Sequence, residues 1–173
     1  MCTFLDKLNE EDKLKINFLD DSGISIKANY YLTTMRPDDT CYEKIPVFNC
    51  IAVDKKGRKV GTFSFDIEND TRIFLGGINV DDWARKHGYG SKILDFVDRI
   101  ATIKGSDIVE GYYGNQGKHV DSFYAKNGYK IVAGADNRLR IRKKVDKWAV
   151  VDDIAVSVNG EEMPLYPNEE MEV

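Results

Sequence analysis

The sequence predicts one α/β domain built on a single mixed, largely antiparallel sheet with crossover helices. Three observations carry that expectation: short apolar strands joined by tight polar turns, one switch to helical periodicity near mid-chain, and a strand, helix, strand order after it. At 173 residues the chain is long enough for one substantial core, burying about 70% of its extended surface.

Alternation of Ile16, Phe18, Ile24, Ile26, Ala28 and Tyr30 predicts edge strands interrupted at Asp20 to Gly23. Residues 33–44, with Pro37, read as a connection or short irregular helix bordering a cleft. VFNCIAV (47–53), KVGTFSFDI (59–67) and TRIFLGGINV (71–80) are strands of an antiparallel meander, because their connections are short. The apolar stripe Ile93, Leu94, Val97, Ile100 and Ala101 then predicts a helix ending near Lys104 and Gly105. DIVEGYY (107–113) returns to a strand and DSFYAKNG (121–128) to a short helix, so a right-handed crossover should place one parallel pair in the sheet. Strands at 129–133 and 139–145 complete it. Arg138, Arg140 and Arg142 alternate with Leu139, Ile141 and Lys143, giving a basic strand face read as solvated, with anion binding as the competing reading.

Hydrophobic residues make up 42% and charged residues 31%, which suits a soluble globular domain. The formal charge of -4 argues against a broad nucleic-acid-binding surface. The start MCTFLDKLNEEDK has no basic-then-apolar signal order and no apolar run is long enough to span lipid, so cytoplasmic residence without a membrane is expected. Cys2, Cys41 and Cys50 are odd in number and widely spaced, so free thiols and no metal are expected. The last 22 residues hold seven Asp or Glu and no Lys or Arg; the boundary is drawn as a domain over 1–151 and an acidic extension over 152–173, a strand followed by an exposed tail.

The strongest chemical feature is INVDDWARKHGYGSKIL, from Ile78 to Leu94. Arg85, Lys86, His87, Gly88, Tyr89, Gly90 and Ser91 lie between a strand and an amphipathic helix, where backbone N–H groups and the helix dipole can converge on an anion. Gly88 and Gly90 permit close backbone approach, and Arg85 and Lys86 add positive charge. An ordinary connection is the competing reading. The segment lacks the final glycine of a dinucleotide GxGxxG turn and the GKS or GKT of a Walker A loop.

Arg85, Gly88 and Gly90 resemble the acetyl-CoA-binding pattern of GCN5-related N-acetyltransferases (GNAT), an Arg or Gln, two residues, Gly, one residue, then Gly or Ala. Val80 has the family's spacing upstream, and FYAKNGY (123–129) resembles its tyrosine-containing segment before a late strand. The resemblance spans roughly Val47 to Val145. It implies a GNAT-like acyl-CoA-binding fold in which acetyl-CoA lies in a splay between strands ending near Val80 and Tyr113. Backbone groups near Ile78 and Val80 would meet the pantetheine arm, and the turn from Arg85 to Ser91 would hold pyrophosphate. Asn115 resembles an asparagine that contacts the same arm, at a longer separation from Tyr124 than the family pattern.

The implied reaction is acetyl transfer to an amine by direct attack, with Tyr124 as the acid toward the departing sulfur and packing alone as its rival reading. Glu110 ranks first as the proton acceptor, ahead of Asp81 and His119. Tyr30, Tyr31 and Tyr42 are core, surface or acceptor-pocket residues; Tyr112 and Tyr113 would shape the cofactor groove. The acceptor is an amine of a small molecule, a protein lysine or an N-terminus, and the short 31–50 interval leaves its lid reduced relative to the family. A noncatalytic acyl-CoA-binding or protein-interaction module is the alternative. An exposed sheet edge leaves a homodimer open.

Overall fold

The computed structural model describes residues 2–20, 23–34, 44–69, 72–113, 118–133 and 138–167. Strands β1 (Lys13–Phe18), β2 (Ser25–Thr34), β3 (Lys44–Val53) and β4 (Lys59–Asn69) form the antiparallel meander. β5 (Arg72–Leu75) and β6 (Asn79–Val80) follow, then α1 (Tyr89–Lys104), β7 (Ile108–Tyr112), α2 (Lys118–Lys126), β8 (Lys130–Ala133), β9 (Leu139–Lys144), β10 (Ile154–Val158) and β11 (Glu161–Met163). The sheet order is β11-β10-β1-β2-β3-β4-β5-β7-β9-β8, with β6 paired to β4. The crossover through α1 makes β5 and β7 parallel, as its order in sequence requires.

Alternation along β4 sets the two faces. Phe63 and Phe65 point to α1, where Phe96 meets them edge-on at 5.8 and 6.0 Å, and Phe65 stacks on Phe48 at 4.7 Å. Each such buried ring contributes roughly 2–3 kcal/mol of transfer free energy. Ile93, Leu94, Phe96, Val97 and Ile100 of α1 are buried on this side, and Gly105 closes the helix with φ of 77°. The end of α2 packs beside the start of α1, with Asn127 Nδ2 donating to Ser91 Oγ at 3.2 Å. Both α-helices therefore share one face, the helix face. Among the described residues no α-helix lies on the other, the front face, which carries Lys15, Lys27, Ile51, Ser64, Asp66, Phe74 and Glu110.

Three expectations change. The N-terminal strands are interior, because Ile154–Val158 pairs antiparallel with β1 and buries Ile154, Val156 and Val158 in the same core. The residues expected as a tail continue into β11, which pairs with β10. The strand expected over 71–80 is two strands, since Gly76 donates to Ser64 O at 2.7 Å and the chain then shifts to pair Val80 with Gly61. A Cβ on Gly61 would lie 2.7 Å from the Asn79 carbonyl oxygen, so this pairing needs glycine there. Pro37, Cys41 and Tyr42 lie outside the described residues.

Candidate active site

The parallel pair opens at its carboxyl end. β5 and β7 stay in register as far as Leu75 and Gly111. Beyond that point β6 turns to β4, whereas Tyr112 pairs with Arg140 and the Tyr113 N–H donates to Leu139 O at 3.2 Å. Each strand follows its outer neighbour, so a gap forms between Gly76–Val80 and Tyr112–Tyr113. Ile78 and Val80 are half-buried along one wall of that gap.

The turn from Arg85 to Ser91 sits at the same end. Gly88 is the residue before α1, in a left-handed conformation with φ of 81°. The first helical bond runs from the Lys92 N–H to Gly88 O at 3.2 Å, so the N–H groups of Tyr89, Gly90 and Ser91 precede it without an intrahelical acceptor. No side chain caps them. Lys86 also has positive φ, 66°, and Lys86, His87 and Gly88 are exposed. This row of uncapped donors, flanked by an exposed turn at the positive end of a sixteen-residue helix, has the geometry and field that suit phosphate charge.

Two residues of the turn act differently from expectation. Arg85 folds back: its Nε donates to Val80 O at 3.1 Å and its guanidinium lies 3.2 Å from Asp82, so it ties the turn to β6. Gly90 makes room for protein, since a Cβ there would lie 3.0 Å from the Phe123 ring, whereas Gly88 faces open space and requires glycine through its φ. The His87 ring lies 6.2 Å from that of Tyr89.

Tyr124 is half-buried on α2, its ring 5.3 Å from Phe123 and 5.8 Å from Tyr129. Burial raises its phenol above the usual range and so keeps it protonated. Tyr113, expected at the groove, donates its hydroxyl to Asp121 at 2.5 Å, which fixes the start of α2 against the gap. Tyr30 is a core residue, 5.2 Å from Phe48. Asn115 lies outside the described residues, and His119 is exposed.

Glu110, expected as the proton acceptor, is 3% exposed on the front face. Its carboxylate accepts from Arg142 Nε at 2.8 Å and lies 3.5 Å from Arg72 and 3.8 Å from Arg140. Arg142 stands opposite Glu110 in register and Arg140 two residues along the same face, so both carboxylate oxygens face guanidinium groups. The same pairing corrects the reading of Arg140 as solvated: it is buried and covers the Tyr112 ring at 4.3 Å.

A residue not singled out in the sequence shares the row of Glu110 beneath the gap. Asp66 is opposite Phe74, two residues before Gly76, and its Oδ1 is buried without a hydrogen-bond partner. Burial pushes the carboxyl up to about 6, with Glu68 adding like charge and Arg72 opposing. Its legible signal is an acid within the alternating strand KVGTFSFDI, on the face opposite Phe63 and Phe65.

A family model described as an acetyltransferase (GNAT) domain matches residues 46–131, from β3 to β8. The chain carries a GNAT acetyltransferase domain. A candidate acyl-CoA N-acyltransferase from Klebsiella pneumoniae superposes with a TM-score of 0.53 at 15% identity, covering 68% of this chain and 98% of that one. A GNAT-family acetyltransferase from Staphylococcus aureus gives 0.51 at 18% identity, covering 58% and 68%. These two likenesses establish the shared fold. The PaiA N-acetyltransferase of Thermoplasma acidophilum, solved with coenzyme A, gives 0.48 at 20% identity; this chain covers 62% of its length, with 59% of this chain aligned. No curated protein matches the sequence. Among the described residues, no helix is long and apolar enough to cross a membrane, and no group of three His, Cys, Asp or Glu residues is placed to hold a metal.

Proposed function

We propose that the GNAT domain transfers acetyl from acetyl-CoA to an amine by direct attack. The observation that carries this reading is the row of uncapped N–H donors at Tyr89, Gly90 and Ser91, next to the exposed turn over 85–88 and beside the gap between β6 and β7. The donors suit a pyrophosphate, and the gap suits a narrow arm reaching from it into the sheet. When bound, acetyl-CoA supplies an acetyl thioester.

The chain's own groups divide between the two faces. Tyr124, on the helix face and held protonated by burial, donates a proton there. Asp66, on the front face, takes a proton from an incoming ammonium, and in this reading it replaces Glu110, whose oxygens are engaged by arginine. An acid and a base on opposite sides of the gap suit a transfer in which the amine, deprotonated on one side, forms its bond to the carbonyl carbon while the sulfur, protonated from the other, leaves it. Glu110 holds Arg72, Arg140 and Arg142 and thereby the wall formed by β7.

Incubating the protein with acetyl-CoA and a panel of small amines and lysine or N-terminal peptides, with products read by mass, tests the proposal. A mass gain of one acetyl group, dependent on Asp66 and Tyr124, is expected. Saturable coenzyme A binding with no acylated product across the panel would replace it with the noncatalytic module.

A further inference from the structure

The front face holds a polar track that ends at the gap. Register places Lys13 opposite Asn29, Asn29 opposite Asn49, and Asn49 opposite Ser64, whose carbonyl accepts from Gly76. The row crosses four strands and ends on Gly76 just past β5, so at about 4.8 Å for each of its four steps the track runs roughly 19 Å, the length of about six extended residues. Its floor carries amide and hydroxyl groups able to bond a peptide backbone.

The far end of the track is cationic. Lys15 and Lys27 face each other directly across β1 and β2, with Lys13 diagonal to Lys27. Like charges in this arrangement destabilise a strand pair. Among the described residues no acid forms an ion pair with any of the three, and all three are exposed. They border a cavity of about 490 Å³ whose floor includes Asn29, Asn49 and Ile51. Glu162 ends the same row, two strands beyond Lys15. Asp20 and Asp54 line a neighbouring cavity with Lys15 and Lys27 but are engaged by Lys92 and Arg58, so on a chain of net charge -4 the exposed lysine cluster suits an anionic partner group.

We propose that this track is an acceptor groove for an acidic peptide, with Lys13, Lys15 and Lys27 holding carboxylates about six residues from the amine delivered at Asp66 and Gly76. The amine end rests on the acetyltransfer reading; the carboxylate end does not. The separation follows from the register row, and the preference for carboxylate follows from three exposed ammonium groups that no acid among the described residues pairs with.

The test is fluorescence anisotropy on the full chain without coenzyme A. The probes are a C-terminally labelled six-residue peptide with a free amine, a neutral middle and two terminal Asp residues, and its twin with Asn in place of Asp. The acidic peptide should bind at least about tenfold tighter, an effect expected of two or three charge-assisted contacts. The double variant Lys15→Gln/Lys27→Gln should lose that discrimination while keeping its thermal midpoint and coenzyme A affinity, and Lys15→Arg/Lys27→Arg should retain it. Equal binding of the two peptides, no binding of either, discrimination that survives the Gln variant, or tighter binding of an RNA oligonucleotide would each overturn the groove. Selective peptide binding without acetyl transfer upholds the groove and defeats the catalytic reading. Transfer whose KM ignores the acidic residues does the reverse.

Discussion

The two faces of the sheet solve opposite problems. The helix face buries Phe48, Phe63, Phe65 and Phe96 against one another and is held by dispersion and solvent exclusion. The front face sets Glu110 among three arginines and leaves Asp66 Oδ1 without a partner, although neither α-helix covers it. The difference teaches that one strand alternation can build a core on one side and hold polar groups in fixed positions on the other. Tight packing keeps the strands in place, and that rigidity keeps an unpaired carboxylate near the gap where a relaxed surface would let it turn to water.

The largest effect should come from breaking the arginine cluster. Glu110→Ala leaves Arg140 buried beside a lost carboxylate, while Arg142 is partly exposed and Arg72 keeps Glu68, and should destabilise the fold by about 3 kcal/mol, the low end for breaking a buried pair, measured by urea unfolding. Acetyl transfer, once corrected for the folded fraction, should change by less than about threefold. A loss of kcat near a hundredfold in folded protein would return the proton-acceptor role to Glu110.

Asp66→Asn sharpens the contrast because its two effects have opposite signs. kcat should fall about 10²-fold, and the rise of wild-type activity through about pH 6 should disappear, since that limb reports ionisation of Asp66. Stability should move the other way. A carboxyl whose folded pKa lies above its unfolded value binds its proton more tightly in the native state, so wild-type stability declines as pH rises from about 4 to about 6. The Asn variant lacks that decline and should be more stable at pH 7.5 by on the order of 2 kcal/mol in thermal or urea unfolding. Across the sheet, Tyr124→Phe removes one hydroxyl from a half-buried ring; kcat should fall by 10- to 100-fold while the coenzyme A Kd stays within about twofold. Equal turnover at saturating substrates would reduce Tyr124 to packing.

Local features were legible in the sequence and register was not. The α1 stripe, the glycine after it and the order of strands announce themselves within short windows, because each depends on a few neighbouring residues. The pairing of β10 with β1 joins residues about 140 positions apart, and its apolar alternation has no means of naming its partner. Asp66 and Glu110 show the same limit at the site. Alternation assigns both acids to the front face, yet which one meets arginine depends on Arg140 and Arg142 arriving opposite β7 from a strand some thirty residues later. Arg85 carried its motif position visibly, but its bond to Val80 O depends on the bend at Gly76 that separates β6 from β5.

The smallest effect distinguishes the two glycines of the turn. A motif treats them alike, whereas Gly88 is required by its φ of 81° and Gly90 by the Phe123 ring 3.0 Å from where a Cβ would stand. Gly90→Ala should therefore cost about 1 kcal/mol, read as a lower thermal midpoint, and weaken coenzyme A binding only as far as α2 shifts. Adding Phe123→Leu opens that contact, so the double variant should recover part of the loss relative to Phe123→Leu alone, a positive coupling in a double-mutant cycle. Gly88→Ala in the same Phe123→Leu background should show no coupling, because its strain lies in its own backbone and no side chain can relieve it.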